Sequence, residues 1–168
     1  MILVVMGVSG AGKTTVGEAF ARHVGWNFLD ADEFHPPGNV AKMASGTPLA
    51  DVDRWPWLDI LNAELVSREV AGKSAVLACS ALKEVYRTRL LRDLRATRLV
   101  FMHADIAFIG ARIAMRKHNY MPASLLASQF ATLEPPRDAL PVDASLPVAE
   151  AVRCIVEDLA RQGPARTP

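Results

Sequence analysis

The stretch Gly7-Val-Ser-Gly-Ala-Gly-Lys-Thr14 constrains this chain more than any other. It follows an apolar, β-branched run, Ile2–Met6, and precedes Val16, Phe20 and Val24 at helical spacing. Strand, glycine loop, helix is the setting in which G-x-x-x-x-G-K-[ST] binds phosphate. With glycine near ~7% of residues, chance gives this pattern in about 0.5% of chains of this length. The glycines let successive backbone N–H groups turn toward one anion. The helix N-terminus adds its partial positive charge. Gly7, Ser9, Gly10, Ala11, Gly12, Lys13, Thr14 and Thr15 are therefore expected around a phosphate group. Lys13 is expected to reach the outer phosphates, and the Thr14 hydroxyl to face Mg²⁺.

The rest of the chain repeats this strand-then-helix rhythm. Asn27–Asp30 predicts a short second strand and Ala75–Ser80 a buried third. Leu99–Met102 predicts a fourth and Ala139–Val142 a short fifth. Between them, Trp57–Ala71 carries Leu58, Leu61 and Leu65 at helical spacing before Gly72. Lys83–Arg95 reads as a helix with Tyr86, Leu90 and Leu94 on one face. Asp105 caps a helix bearing Ile106, Ile109 and Ile113. Pro147 opens a last helix with Val148, Val152, Ile155 and Leu159 inward. This alternation predicts an α/β fold on a parallel sheet, with ligands beyond the carboxyl ends of the strands.

The 168 residues suit one domain, taken as 1–163, with 164–168 as a frayed tail. Apolar residues make up 51%, enough to exclude intrinsic disorder for most of the chain. No apolar run approaches the ~18 residues of a membrane span. Met1–Met6 lacks the length and basic flank of a leader. Cys79 and Cys154 cannot build a disulfide framework, and neither sits in a C-x-x-C pair. A net charge of +1 gives no field for nucleic acid. A cytoplasmic protein without membrane or nucleic-acid partners is the expectation.

The phosphate loop alone leaves GTPases, motor ATPases and small-molecule kinases open. No N-K-x-D or T-K-x-D guanine-reading motif occurs. The third strand ends in Cys79-Ser80, not in the Asp of an ATPase magnesium motif. A compact kinase using ATP and Mg²⁺ fits best. Asp30 and Asp32, two apart at the end of the second strand, can both project toward the loop. One can face the metal while the other takes a proton from the acceptor hydroxyl. Residues 31–57 then read as a substrate flap, dense in turn formers and carrying Asn39, Lys42 and Arg54. Arg54 suits bidentate capture of a carboxylate or phosphate. Trp55 and Trp57 read as core.

Here the chain resembles a known family. Its D-A-D-E-F-H-P-x-x-N-x-x-K-M-x-x-G-x-P-L-x-D-x-D-R-W-P-W-L stretch is similar to that of gluconokinases. So are Cys79-Ser-Ala-Leu-Lys83, Tyr86-Arg87, Met121–Phe130 and Leu133-Glu-Pro-Pro136. The resemblance implies a three-layer phosphate-loop NTPase fold with a five-stranded parallel sheet, like nucleoside monophosphate and shikimate kinases. It implies transfer of phosphate from ATP to the 6-hydroxyl of D-gluconate, and a homodimer. Carried onto this chain, it makes Asp32 the catalytic base and Asp30, with Thr14, the metal side. Arg54 and Lys42 become candidates for the gluconate carboxylate. His35 and Asn39 are expected at sugar hydroxyls, and Ser80, Lys83 and Arg87 on the substrate side. Lys83 and Arg87 are read as i, i+4 on one helix face. Another sugar acid, shikimate, or a non-catalytic sensor of sugar acids are the alternatives.

A lid is expected over about residues 116–130. Arg112 and Arg116, i and i+4, are expected near the ATP phosphates, with Arg116 neutralising the transferring group. The family pattern R-x-G-H-F-M-P is Arg116-Lys-His-Asn-Tyr-Met-Pro122 here. Asn119 therefore stands where a titratable histidine is usual. Ser128-Gln-Phe130 keeps the family pattern, which predicts that the lid helix survives.

Overall fold

The computed structural model describes residues 1–115 and 123–162. Its strands are β1 (Ile2–Met6), β2 (Asn27–Asp30), β3 (Ala75–Ala78), β4 (Thr97–His103) and β5 (Leu140–Asp143). They form one five-stranded sheet in the order β2-β3-β1-β4-β5, and every pairing is parallel. Alternation along β1 divides the core between two faces. Leu3 and Val5 pack with Val16 and Phe20 of α1 (Lys13–Val24), Ile109 of α5 (Ile106–Ala114), Leu126 of α6 (Ala123–Thr132) and Ile155 of α7 (Val148–Gln162). Ile2, Val4 and Met6 pack on the other face. There they meet Trp57, Leu58, Leu61 and Leu65 of α3 (Asp51–Val70) and Tyr86 and Leu90 of α4 (Glu84–Leu91). Helices on both faces of a parallel sheet make the expected three layers.

Two helix boundaries differ from the sequence expectation. Helix α3 starts at Asp51, six residues before Trp57, and runs through Pro56. Proline removes one helical donor, whose acceptor would be the Val52 carbonyl. Val52 is 70% exposed, so water is at hand for that carbonyl. The Asp53 carboxylate accepts from Ala50 N at 2.8 Å, and Asp51 and Asp53 both suit the positive helix end. Helix α4 stops at Leu91 rather than Arg95. Asn62 of α3 is buried and donates to the carbonyls of Leu90 and Arg92 at 2.9 and 2.7 Å, closing the helix end. Asp93, at φ 64°, then takes the left-handed turn that a helix cannot continue through. The flap is also more ordered than a loop: a 3₁₀ turn (Ala31–Phe34) and α2 (Pro37–Ala44) occupy it.

Candidate active site

The loop from Gly7 to Gly12 leaves β1 and enters α1 at Lys13. Its bend holds Gly7, Gly10 and Gly12 at positive φ. Gly7 sits at φ 145°, where an added Cβ would stand 2.5 Å from the Met102 carbonyl oxygen. Gly12, at φ 94°, lies against Arg112, whose Nη1 would be 3.5 Å from such a Cβ. The Arg112 guanidinium donates to Ala144 O at 3.0 Å, which holds it beside the loop. Lys13 Nζ donates to Val8 O at 3.1 Å, folding the side chain back over the loop. Ser9 N donates to Oε1 of Gln129 at 2.7 Å, so α6 reaches the loop backbone directly. Ala11 is buried and Thr15 exposed on the first turn of α1.

The end of β2 brings the two aspartates to this loop. Thr14 Oγ1 donates to Asp30 Oδ2 at 3.2 Å. Asp30 Oδ1 accepts from Asp32 N at 3.1 Å and so caps the 3₁₀ turn that carries Asp32. The Asp32 side chain is 87% exposed, with His35 Nε2 at 3.9 Å from its Oδ1. Gly7 N donates to Ser80 O at 3.4 Å, which sets the end of β3 beside the loop. Cys79, just before it, is buried, and burial pushes its thiol up to about 12; it belongs to the core, not to nucleophilic chemistry.

The flap residues meet different partners. Asn39 is buried, and its Nδ2 donates to Asp53 O at 2.8 Å and lies 3.4 Å from His35 Nδ1. It ties α2 to α3, so its amide hydrogens are engaged within the protein rather than free for a sugar. Trp57 is core, as expected: its indole N–H donates to Ala31 O at 2.8 Å and its ring stacks on His35 at 4.3 Å. Trp55 is half-buried, edge-on to Tyr86 and beneath Arg89. Lys42 pairs with Asp53 at 2.6 Å; that hydrogen bond, with one from Ala50 N, holds the Asp53 carboxyl below the usual range.

Arg54, Lys83 and Tyr86 converge on one carboxylate. Tyr86 Oη donates to Asp51 Oδ1 at 2.5 Å, and Lys83 Nζ donates to both Asp51 oxygens at 3.0 and 2.9 Å. Arg54 Nη1 lies 3.7 Å from Asp51 and donates to Leu49 O at 2.7 Å. The Tyr86 and Lys83 hydrogen bonds hold the Asp51 carboxyl below its ordinary value, and Asp51 raises Lys83 in return. Lys83 and Arg87 do not share a solvated face. Lys83 is the residue before α4, while Arg87 is buried and donates to Ala81 O and Leu82 O at 3.0 Å each. Ala81 holds a left-handed φ of 43°, a strain of roughly 1–2 kcal/mol, and Arg87 clamps that turn. Arg116, His118, Asn119 and Tyr120 lie outside the described residues.

Sequence reasoning missed Asp51, Asp53, Tyr86 and Gln129 as contributors here. Each lay inside a stretch already singled out, L-x-D-x-D-R, Y-R or S-Q-F, but local pattern does not say what an acid thirty residues away will meet. Residues 2–136 match the family model described as an AAA domain. A protein named gluconokinase, from Gluconobacter oxydans (strain 621H), is 49% identical over 140 residues, covering 83% of this chain and 79% of that protein. The chain belongs to the gluconokinase family. A solved structure described as a gluconokinase from Sinorhizobium meliloti 1021 superposes with a TM-score of 0.86 at 43% identity, covering 95% of this chain and 91% of that one. Shikimate kinase from Aquifex aeolicus shares the fold at a TM-score of 0.61, with 17% identity over 96% of this chain and 98% of that one. This gluconokinase-family chain therefore has the fold that the resemblance implied.

Proposed function

We propose that this chain transfers the terminal phosphoryl group of ATP to the 6-hydroxyl of D-gluconate, giving 6-phosphogluconate and ADP. One juxtaposition carries the reading: Thr14 and Asp30 meet beside the phosphate loop while Asp32, on the next turn, presents an exposed carboxylate. Membership of the gluconokinase family supports the same reading.

The Thr14–Asp30 pair suits Mg²⁺, a hard cation that needs one or two protein oxygens and completes its shell with water and phosphate. Among the described residues no group of three or more His, Cys, Asp or Glu is placed to hold a metal, and this kind of site does not require one. Bound there, Mg²⁺ neutralises charge on the phosphate oxygens. Lys13 and the loop N–H groups hold the phosphates, with Arg112 and Arg116 balancing charge at the transferring group. Asp32 accepts the 6-hydroxyl proton as the bond from that oxygen to phosphorus forms and the bond from phosphorus to the ADP oxygen breaks. Arg54, Lys83 and Tyr86 already receive a carboxylate from Asp51, and the acid end of gluconate asks for the same chemistry. His35, Lys42 and Ser80 complete the acceptor side, and Arg87 supports it by shaping the turn after β3. A homodimer and a cytoplasmic location belong to the same proposal on the strength of the family; sedimentation checks the first. Among the described residues no helix is long and apolar enough to cross a membrane.

The test is ADP release with Mg-ATP against D-gluconate, L-idonate, 5-ketogluconate, shikimate and no acceptor. Turnover with gluconate, and 6-phosphogluconate as product, is expected. Turnover only with another acid moves the substrate and keeps the mechanism. ATP binding without acceptor-dependent turnover overturns the enzyme reading in favour of a sensor.

A further inference from the structure

We propose that His35 is a positioning residue for Asp32, held by Asn39 and Trp57 in the one tautomer whose Nε2–H is aimed at the Asp32 carboxylate. The inference deepens the functional reading above and rests on Asp32 as the base.

Asn39 fixes which ring nitrogen of His35 accepts. Its side-chain Nδ2 lies 2.8 Å from the Asp53 carbonyl oxygen. A carbonyl only accepts, so the amide must present its NH₂ there, and the two ends of the amide are not interchangeable. That NH₂ has one more hydrogen, and His35 Nδ1 lies 3.4 Å from the same nitrogen. Nδ1 is therefore the acceptor. A neutral imidazole that accepts at Nδ1 carries its proton at Nε2. Burial keeps His35 below its ordinary pKa, and the charge of Arg54 acts in the same direction, while Asp32 opposes. The ring is thus neutral at neutral pH.

Its orientation is equally constrained. The imidazole lies flat on Trp57, 4.3 Å between centroids and 13° between planes. Trp57 is itself tied to Ala31 O, the first residue of the turn that carries Asp32. Only 5% of the His35 side chain is exposed, against 87% for Asp32. A fixed donor thus faces a solvent-exposed carboxylate across 3.9 Å. That gap is too long for a hydrogen bond, and a small rotation of Asp32 closes it. Once one Asp32 oxygen accepts from His35, the other is left to face the acceptor hydroxyl in a single orientation. The same geometry accounts for the H-P-P-G-N spacing. Pro37 starts α2, and the first helical turn brings Asn39 back over His35, four residues earlier.

The first arm of the test needs no substrate. Histidine ¹⁵N resonances of the full-length chain at neutral pH, with His35 assigned by loss of its signals in His35→Gln, are expected to show an unprotonated Nδ1 and a protonated Nε2. A proton on Nδ1 overturns the proposal. The second arm is kinetic. His35→Phe keeps a ring on Trp57 and removes the donor; kcat with D-gluconate is expected to fall about 10-fold or more. KM for ATP should stay within about two-fold, because the nucleotide side is untouched. His35→Gln restores an N–H donor and should recover most of kcat. Unchanged kcat in His35→Phe, or equal losses in both variants at equal melting temperature, also overturns it. If His35→Phe does not fold, the tautomer and the His35→Gln rate still decide. Absence of any acceptor-dependent turnover in the wild type would instead sink the functional reading, a result separate from the tautomer.

Discussion

The nucleotide end and the acceptor end of this site are built on different principles. The phosphate loop is local: one strand, one glycine bend and one helix start, all within Ile2–Lys13. Its shape comes from backbone angles that glycine alone accepts readily, at Gly7, Gly10 and Gly12. The acceptor end is assembled from side chains far apart in sequence. Asp51 meets Lys83 and Tyr86 across 32 and 35 residues, and Asn39 meets Asp53 across 14. Local backbone motifs tolerate little change, whereas side-chain clusters can be retuned one residue at a time. A kinase can therefore keep its phosphate donor while its acceptor varies.

The largest expected effect tests whether the two ends are separable. Asp32→Asn should leave ATP binding intact and lower kcat at least ~10²-fold. Normal turnover in that variant removes Asp32 as the base. Next comes the loop itself. Gly7→Ala places a Cβ 2.5 Å from a backbone oxygen that cannot step aside. It should destabilise the fold by roughly 1–3 kcal/mol and abolish nucleotide binding, read by thermal melts with and without Mg-ATP. If the Gly7→Ala protein still gains stability from Mg-ATP, the loop is more adaptable than its geometry implies. Arg54→Lys should act more gently. A point charge replaces a fork, so KM for the acid should rise several-fold, about 10-fold at most, with KM for ATP unchanged. An unmoved KM for the acid removes Arg54 from the carboxylate site.

The smallest effect is on stability against pH. Burial lowers the His35 pKa in the folded state, so the unfolded chain takes up that proton first as pH falls. His35 therefore contributes stability that is full above about pH 6.5 and is lost as pH drops below it toward the folded value. Asp51, Asp53 and Asp59 are lowered too, chiefly by hydrogen bonds from Tyr86, Lys42 and Arg89. Their contribution is complete above about pH 4 and fades further down, in a separate window. Melting temperatures between pH 7 and 5 should fall in the wild type and flatten in His35→Phe. Equal slopes would show that His35 keeps its ordinary pKa in the fold.

Sequence and structure agree most where a residue's neighbours in space are its neighbours in the chain. Ile2–Met6 could be read as a doubly buried strand because its apolar run is unbroken, and Gly7–Thr14 because its chemistry is a spacing. Disagreement falls where distant groups intervene. Helical spacing of apolar residues starts only at Trp57, yet α3 begins at Asp51, with Asp53 capping Ala50 N. Leu94 fitted the apolar face of α4, yet Asn62, from another helix, helps end α4 at Leu91. The family resemblance sets Arg87 on the substrate side, and the fold buries it with its guanidinium donating to Ala81 O and Leu82 O. Lys42 is expected at the gluconate carboxylate and Asn39 at a sugar hydroxyl; in the fold both donate to Asp53.

By itself, the sequence determined that this chain is a parallel α/β protein with a phosphate loop at the end of β1 and two aspartates at the end of β2. Hydrophobic period and glycine spacing are properties of consecutive residues, so they survive without knowledge of the fold. Only the tertiary structure decided which charges meet. The sheet order β2-β3-β1-β4-β5 sets β2 and β1 on either side of β3. Packing of α3 and α4 on one face then brings Asp51 onto Lys83 and Tyr86 and stacks His35 on Trp57. Electrostatic and hydrogen-bond partners depend on distances of a few ångströms between groups tens of residues apart. No linear pattern encodes those distances, and burial, which lowers the His35 pKa and encloses Arg87, exists only once the chain has folded.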